Sequence, residues 1–389
     1  DQTRADFDFD RGSNAAATRI GSDGLIEKYR ENTLEHSNNF SDTSYTKVKT
    51  SLTSGQPDKD GGTNAWKYQC SSNGASYFYK TPATNSAIRT RSIYAKAGTA
   101  SQITFLWDSF NQNEYATFDL SNGTFTNAGC LADMESVGDG WYRCSTTITD
   151  ASNTYAFLMG LVDETGSAST AGDNVYIMYA QQEIGLVPTD YLNSTSVTAK
   201  AGVLIDLPRI NYDANGENGA LLLEPSRSNL VQYSEYINNT DWNHQGVVSS
   251  VNTSETKSPE GFYNAVKLEA TNTDPYIFKS ISVSTGDNTF SFYIKGTGSS
   301  VGKTGRILFW YIGTATGAQT SHNFTLTNEW QRVDATTSVT GAGTLTFRVD
   351  IPADAAISGE ICYLYGLQLE GSASYPSSYI PNHGTSGGV

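Results

Sequence analysis

The sequence predicts an all-β chain of two tandem antiparallel β-sandwiches, and three observations predict it. The two halves repeat each other: Glu27, Arg30, Asn32, Ser37 and Tyr45 recur as Glu224, Arg227, Asn229, Ser234 and Trp242 with unchanged internal spacing. A repeat of roughly 200 residues exceeds the about 20–50 residues of a solenoid unit and matches a domain with its connector. The composition is 38% hydrophobic and 17% charged, with 36 Gly and 23 Tyr among 389 residues. Such a mixture favours strands, turns and polar loops over helices. Finally, each half carries about eight short strand candidates separated by turn residues, the pattern of a sandwich.

The elements follow in chain order. Residues 1–31 read as a leading segment: 5–10 alternate polar and apolar, Gly21-Ser22-Asp23-Gly24 is a turn, and Leu25-Ile26-Glu27 a short strand. Residues 32–192 form the first sandwich, with strands expected at 64–69, 76–80, 91–96, 102–107, 115–120, 141–147, 154–162 and 174–182. Residues 193–228 form a connector, in which 207–213 reads as an edge strand because Pro208 cannot donate a ladder hydrogen bond. Residues 229–389 form the second sandwich, with strands expected at 264–270, 276–283, 288–295, 306–312, 321–326, 330–336, 343–350 and 360–369. The repeat stays visible in them. Tyr77-Phe78-Tyr79-Lys80 answers Tyr276-Ile277-Phe278-Lys279, and Trp141-Tyr142-Arg143 answers Trp330-Gln331-Arg332. The chain opens at Asp1 and closes on a loop-like Gly387-Gly388-Val389, so it reads as a fragment or a processed product.

Charge and cysteines narrow the function. A net charge of −15 repels a polyanion, which argues against nucleic-acid binding. No window approaches 18 apolar residues, so no membrane insertion is expected. Cys70, Cys130, Cys144 and Cys362 have no duplicated position; buried free thiols are the simple reading, with a Cys130–Cys144 pair left open.

Candidate chemistry is sparse. His36, His244, His322 and His383 show no metal-ligand spacing, and no nucleophile elbow, phosphate loop or dinucleotide fingerprint is present. Glu27 and Arg30, with their counterparts Glu224 and Arg227, read as structural ion pairs that pin each leading strand to its sandwich. Asp58-Lys59-Asp60 is a candidate structural calcium loop, weighed against a plain solvated loop; no other cofactor is expected. The aromatic residues point further. Tyr77 and Tyr79 share one strand face, Tyr276 takes the matching face in the second half, and Trp107 and Trp310 stand on the next strong strands. An aromatic plane accepts the flat C–H face of a sugar ring, so these five residues are glycan-binding candidates, weighed against ordinary core packing.

Two stretches resemble a known family. Asp6-Phe7-Asp8-Phe9-Asp10-Arg11-Gly12-Ser13 with Asp23-Gly24-Leu25-Ile26-Glu27, and Leu207-Pro208-Arg209-Ile210-Asn211-Tyr212-Asp213 with Leu221-Leu222-Leu223-Glu224-Pro225-Ser226-Arg227, resemble a motif of bacteriophage virion proteins, especially those of marine phages. Gly140-Trp141-Tyr142-Arg143-Cys144 and the closing Gln368-Leu369-Glu370 and Ser378-Tyr379-Ile380-Pro381 are similar to the same family. The first half closes with a looser version, Gln181-Gln182-Glu183 and Val187-Pro188-Thr189-Asp190-Tyr191, so the resemblance defines its edge geometry less closely than that of the second half. The resemblance implies tandem jelly rolls like carbohydrate-binding modules, in a non-enzymatic fibre or decoration protein on the virion surface. It implies other virion proteins and host or environmental polysaccharide as partners, and a homo-oligomer on the particle. The alternatives are a purely structural decoration protein and the carbohydrate-binding region of a larger secreted polysaccharide-degrading enzyme.

Overall fold

The computed structural model describes residues 18–384 apart from 82–86, 108–112, 150–155, 162–168, 205, 214, 239–240, 252–253 and 353–357. The alternating stretch at 5–10 lies outside the described residues. The described residues group into two compact units, one from Arg30 to Ala201 and one joining the residues up to Tyr29 with those from Gly202 onward. None of their helices is long and apolar enough to cross a membrane.

A hairpin of β1 (Thr18–Ile20) and β2 (Ile26–Lys28) opens the chain. The first unit then runs β3 (Arg30–Asn32), β4 (Thr46–Val48), β5 (Thr50–Gln56), β6 (Ala65–Cys70), β7 (Ser76–Lys80), β8 (Arg89–Ala97), β9 (Gln102–Leu106), β10 (Tyr115–Asp119), β11 (Thr124–Ala128), β12 (Leu131–Gly138), β13 (Trp141–Ile148), β14 (Phe157–Leu161), β15 (Asn174–Ile184) and β16 (Ala199–Ala201). Its two sheets have the orders β11-β10-β9-β14-β7-β4 and β12-β13-β8-β15-β6-β5, antiparallel throughout. The short hairpin β17 (Ile210–Asn211) and β18 (Ala220–Leu221) leads into the second sandwich. That sandwich comprises β19 (Asn243–Gln245), β20 (Val247–Ser250), β21 (Val266–Ala270), β22 (Tyr276–Val283), β23 (Gly286–Thr297), β24 (Thr304–Ile312), β25 (Thr316–Gly317), β26 (Thr320–Thr325), β27 (Gln331–Gly341), β28 (Gly343–Asp350) and β29 (Ile361–Gly371). Its sheets run β19-β22-β28-β24-β26 and β20-β21-β29-β23-β27-β25. The chain is therefore a tandem of antiparallel β-sandwiches with non-consecutive neighbours, the jelly-roll arrangement.

The period-two rule explains which side chains meet between the sheets. On β7, Phe78 points inward and is sealed, while Tyr77 and Tyr79 remain half-buried on the other face. On β27, Val333, Ala335, Thr337 and Val339 are buried while Asp334, Thr336 and Ser338 are exposed. Phe40, Tyr45, Trp66, Tyr68, Phe78 and Phe105 head the first core, and Trp242, Phe290, Phe292, Phe309 and Phe347 the second. Each such side chain contributes about 1.5–3 kcal/mol by leaving water.

The repeat extends to hydrogen bonds. Asn32 donates Nδ2 to the carbonyls of Ala180 and Leu192 and accepts from the backbone N–H of Leu34 and Gln182. Asn229 does the same with Leu367, Ile380, Val231 and Leu369. Ser37 meets the Tyr191 hydroxyl as Ser234 meets that of Tyr379. The closing strands match too: Gln181 donates to Glu183 and Thr189 donates to the same carboxylate, as Gln368 and Ser377 do with Glu370. The looser sequence at the first closing segment therefore brings no looser bonding, because each substitution keeps a donor or acceptor at its place.

The repeats differ where the outward face of β29 is covered. Ile26 of the first hairpin is buried against Tyr365 and Tyr379 of the second sandwich. Lys28 sits between Glu235 (2.7 Å) and Glu260 (2.8 Å). In the first sandwich, Tyr179 stands at the bulge position that Gly366 fills in the second, both with positive φ (57° and 65°). Its ring stacks on Tyr191 at 4.4 Å, so this sandwich covers its closing tyrosine with its own side chain.

Candidate functional site

Strand parity divides the five aromatic candidates. Ile103, Phe105 and Trp107 share the inward parity of β9 and its continuation; Trp107 is 2% exposed, donates Nε1–H to Thr146 (2.9 Å) and carries the Arg91 guanidinium on its ring at 3.6 Å. Trp107 is thus core, and its place as a glycan contact is withdrawn: a sealed ring has no face to offer a sugar.

Tyr77 and Tyr79 do come together. They stack at 6.4 Å on the outward face of the β11-β10-β9-β14-β7-β4 sheet. Register across that face places Thr46, Tyr79, Leu158, Leu106, Tyr115 and Ala128 in one row. Val48, Tyr77, Gly160, Thr104, Thr117 and Thr126 form the next. Leu106, Thr104 and Thr117 are buried, while the tyrosines at either side are half-exposed. This is a polar and aromatic surface without a charged side chain in either row.

Tyr276 and Trp310 also share a face, that of the β19-β22-β28-β24-β26 sheet. Ile307 and Phe309 take the inward parity of β24, which leaves Arg306, Leu308 and Trp310 outward. Phe278 joins them, its ring 6.1 Å from Tyr276 and 6.0 Å from Trp310. The register sets Gln245, Tyr276, Asp350, Arg306 and Asn323 in one row and Asn243, Phe278, Arg348, Leu308 and Ser321 in the next. Tyr276 differs from a bare platform, because the Arg348 guanidinium lies 3.4 Å from its ring centre. Phe278 and Trp310 are the rings left to stack on a ligand, and Tyr276 positions Arg348.

Arg306, Arg348 and Asp350 are the residues that sequence reasoning missed. Asp350 is 1% exposed and holds Arg306 through Nε (2.6 Å) and Nη2 (2.5 Å) and Arg348 through Nε. Arg348 also reaches Asp274 at 2.9 Å. The spacing of Arg348 and Asp350 puts both on one strand face, but only the pairing of β24 with β28 brings Arg306 beside them.

The ion pairs form with other partners than those expected. Glu27 bonds Arg19 across the first hairpin (2.7 Å), and Glu224 bonds Arg209 (2.8 Å) and Ser378. Arg30 approaches Asp190 (3.8 Å), while Arg227 donates to the Ser372 carbonyl and lies over Tyr375.

The acidic loop is a clamp. Asp58 accepts from the backbone N–H of Asp60, Gly62 and Asn64 and from Asn64 Nδ2, and these bonds hold its carboxyl below the ordinary value. Lys59 lies 2.7 Å from Asp60. Four donors and an ammonium occupy the oxygens that a calcium ion would need, so the calcium reading gives way to a self-capped turn. All four cysteines are free and buried, so Cys130 and Cys144 do not pair; burial raises Cys130 to about 11 and Cys144 further.

The buried cluster at Lys28 is also structural. Tyr365 donates to Glu260 (2.8 Å) and Tyr379 to Glu235 (2.9 Å). Burial opposes the charge on Lys28, yet the two carboxylates outweigh it and raise its pKa above the ordinary lysine value. Burial likewise opposes the charge on Glu235, and Lys28 overcomes it, holding that carboxyl at about 2. With its one cation held between two buried carboxylates, the cluster docks the hairpin.

No family model matches the chain, and no curated protein does. Among solved structures, the N-terminal CBM22-1-CBM22-2 tandem domain of Paenibacillus barcinonensis Xyn10C is similar over 92% of this chain and 99% of its own, at 11% identity and a TM-score of 0.28. TmCBM61, solved with beta-1,4-galactotriose, matches over 36% of this chain and 97% of its own, at 13% identity and a TM-score of 0.26. The enzymatically active domain of bacteriophage CBA120 tailspike protein 4 matches over 36% of this chain and 21% of its own, at 15% identity and a TM-score of 0.27.

Proposed function

We propose that the chain is a non-enzymatic attachment protein of a virion surface, whose two sandwiches each bind glycan on the outward face of one sheet. The observation that carries the reading is the repetition of aromatic side chains on those faces: the Tyr77–Tyr79 pair in one sandwich and Phe278 with Trp310 in the other. Side chains with flat apolar surfaces and flanking exposed amides, such as Asn243, Gln245 and Asn323, suit a sugar's C–H face and its hydroxyl rim. Asp350 is the carboxylate at the centre of the second face, and two guanidiniums occupy it, which suits recognition better than acid–base work. The likeness of the 6–27 and 207–230 stretches to phage virion proteins supports the placement on a particle. Two weak faces on one chain gain by effective concentration, and a multivalent particle multiplies that gain.

A glycan array probed with the multimerised chain tests this. The expected result is binding to a restricted set of polysaccharides, lost on Tyr77→Ala/Tyr79→Ala together with Phe278→Ala/Trp310→Ala. Release of reducing ends from any bound polysaccharide would contradict the non-enzymatic part.

One observation favours a second reading, contact with neighbouring proteins. Leu223, two residues past β18, is the repeat counterpart of Ile26; Ile26 is 4% exposed and Leu223 78%. Leu221 of β18 and Leu207 ahead of β17 are exposed too, so this segment offers apolar surface of the kind Ile26 buries against a sandwich. Concentration-dependent sedimentation that Leu223→Asp abolishes would support that role.

A further inference from the structure

We propose that Arg306 and Arg348 form a subsite on the second sandwich for an anionic substituent of the glycan, a carboxylate or a sulfate ester. This rests on reading that face as glycan-binding, and it separates the ligands of the two sandwiches.

The argument begins with what a ligand would meet. Asp350 lies beneath the two guanidiniums and is 1% exposed, whereas Arg306 is 35% exposed. From outside, the centre of this face therefore presents guanidinium N–H groups and hides the carboxylate that holds them. A guanidinium only donates, stays charged, and has a planar edge that matches the two oxygens of a carboxylate or sulfate. Asp350 and Asp274 together balance the two guanidiniums, so a ligand anion gains a cation beside the Phe278 and Trp310 rings by displacing the exposed Asp274 from Arg348. The groups are also held in place. Tyr276 underlies Arg348 at 3.4 Å, and Asp350 fixes both Nε atoms, so less side-chain freedom remains to be lost on binding.

Asp274 supplies the second indication. It is 69% exposed, sits at the end of the face and places Oδ1 2.9 Å from Arg348 Nη2. Arg348 is 15% exposed, but its partner Asp274 is open to water, and a pair with one solvated member contributes about 1 kcal/mol or less, so a ligand anion can take its position on Arg348. Among the described residues, the two rows of the first sandwich's face carry no charged side chain: Leu158, Gly160, Leu106, Thr104, Tyr115 and Thr117 fill their centre. Its ligand is accordingly an uncharged sugar stretch.

The test uses the full chain in affinity electrophoresis and titration against polygalacturonate, carrageenan and xylan, which carry carboxylates, sulfates and no charge. Arg306→Gln is expected to weaken binding to the charged probe by about tenfold or more and to weaken xylan binding far less, since xylan offers the guanidinium no anion. Asp274→Asn is expected to strengthen binding to the charged probe several-fold. Retention by only one of the two charged probes identifies the substituent. An unchanged melting temperature shows that Arg306→Gln keeps its fold. If glycans bind and neither substitution alters the charged probes, the subsite is refuted while the glycan reading stands. If none of the three probes nor any arrayed glycan binds, the glycan reading itself fails and takes this subsite with it.

Discussion

Replacing Asn229 by Ala tests whether one side chain closes the second sandwich. Its amide makes four buried bonds: Nδ2 to the carbonyls of Leu367 (3.0 Å) and Ile380 (2.8 Å), and Oδ1 from the N–H of Val231 (3.0 Å) and Leu369 (3.1 Å). A buried hydrogen bond contributes about 1 kcal/mol net, and an orphaned backbone group costs about 1–3 kcal/mol. Alanine removes all four bonds and orphans two carbonyls and two N–H groups, so a loss of about 4 kcal/mol is expected for the compact unit that contains Asn229. At about 2–4 °C per kcal/mol for a unit of this size, the melting temperature falls by about 10 °C. Asn32 makes the equivalent bonds, so Asn32→Ala is expected to cost the other unit a similar amount. Differential scanning calorimetry of both variants reads this as two transitions, each lowered by one substitution and spared by the other. A loss below about 1 kcal/mol for Asn229→Ala would refute the clamp, since water would then have replaced all four bonds at no cost.

Two further outcomes follow from the hairpins and the buried ion cluster. Ile26→Ala is expected to destabilise hairpin docking by about 2–4 kcal/mol, and Leu223→Ala at the matching repeat position to change stability by under about 0.5 kcal/mol; hydrogen exchange of β1 and β2 reads the first, and denaturant titration the second. For Glu235, Lys28 overcomes burial and depresses the folded pKa to about 2, below the ordinary 4.5. Its stabilising contribution is therefore present above pH 4.5 and is lost as pH falls from there towards 2. Melting temperatures measured from pH 6 to pH 2.5 are expected to decline less steeply in Glu235→Gln than in the unaltered chain; parallel curves would show that this carboxylate is not the one responding.

The strands that carry the cores were legible because their apolar residues cluster or alternate, as in Tyr77-Phe78-Tyr79 and in 343–350. Thr50–Gln56 and Val247–Ser250 were not, because the first has only Leu52 as an apolar residue, the second is four residues long, and the pairing of both comes from neighbours. Trp107 and Trp310 show the limit at the candidate site. Each sits on a strong apolar strand, and only parity separates them. In 307–311 every residue is apolar, so parity cannot be read before the inward Ile307 and Phe309 are seen. The Arg306–Asp350–Arg348 group was hidden for a different reason. Arg306 lies more than 40 residues before Arg348 and Asp350, and only the register of β24 against β28 brings it beside them.

The most direct measurement is titration of one polysaccharide selected from the array into four proteins: the unaltered chain, Tyr77→Ala/Tyr79→Ala, Phe278→Ala/Trp310→Ala, and the combined variant. The account predicts a weaker isotherm when either face is stripped and no measurable binding when both are, with the fold intact by circular dichroism. Undiminished affinity in the combined variant would contradict it.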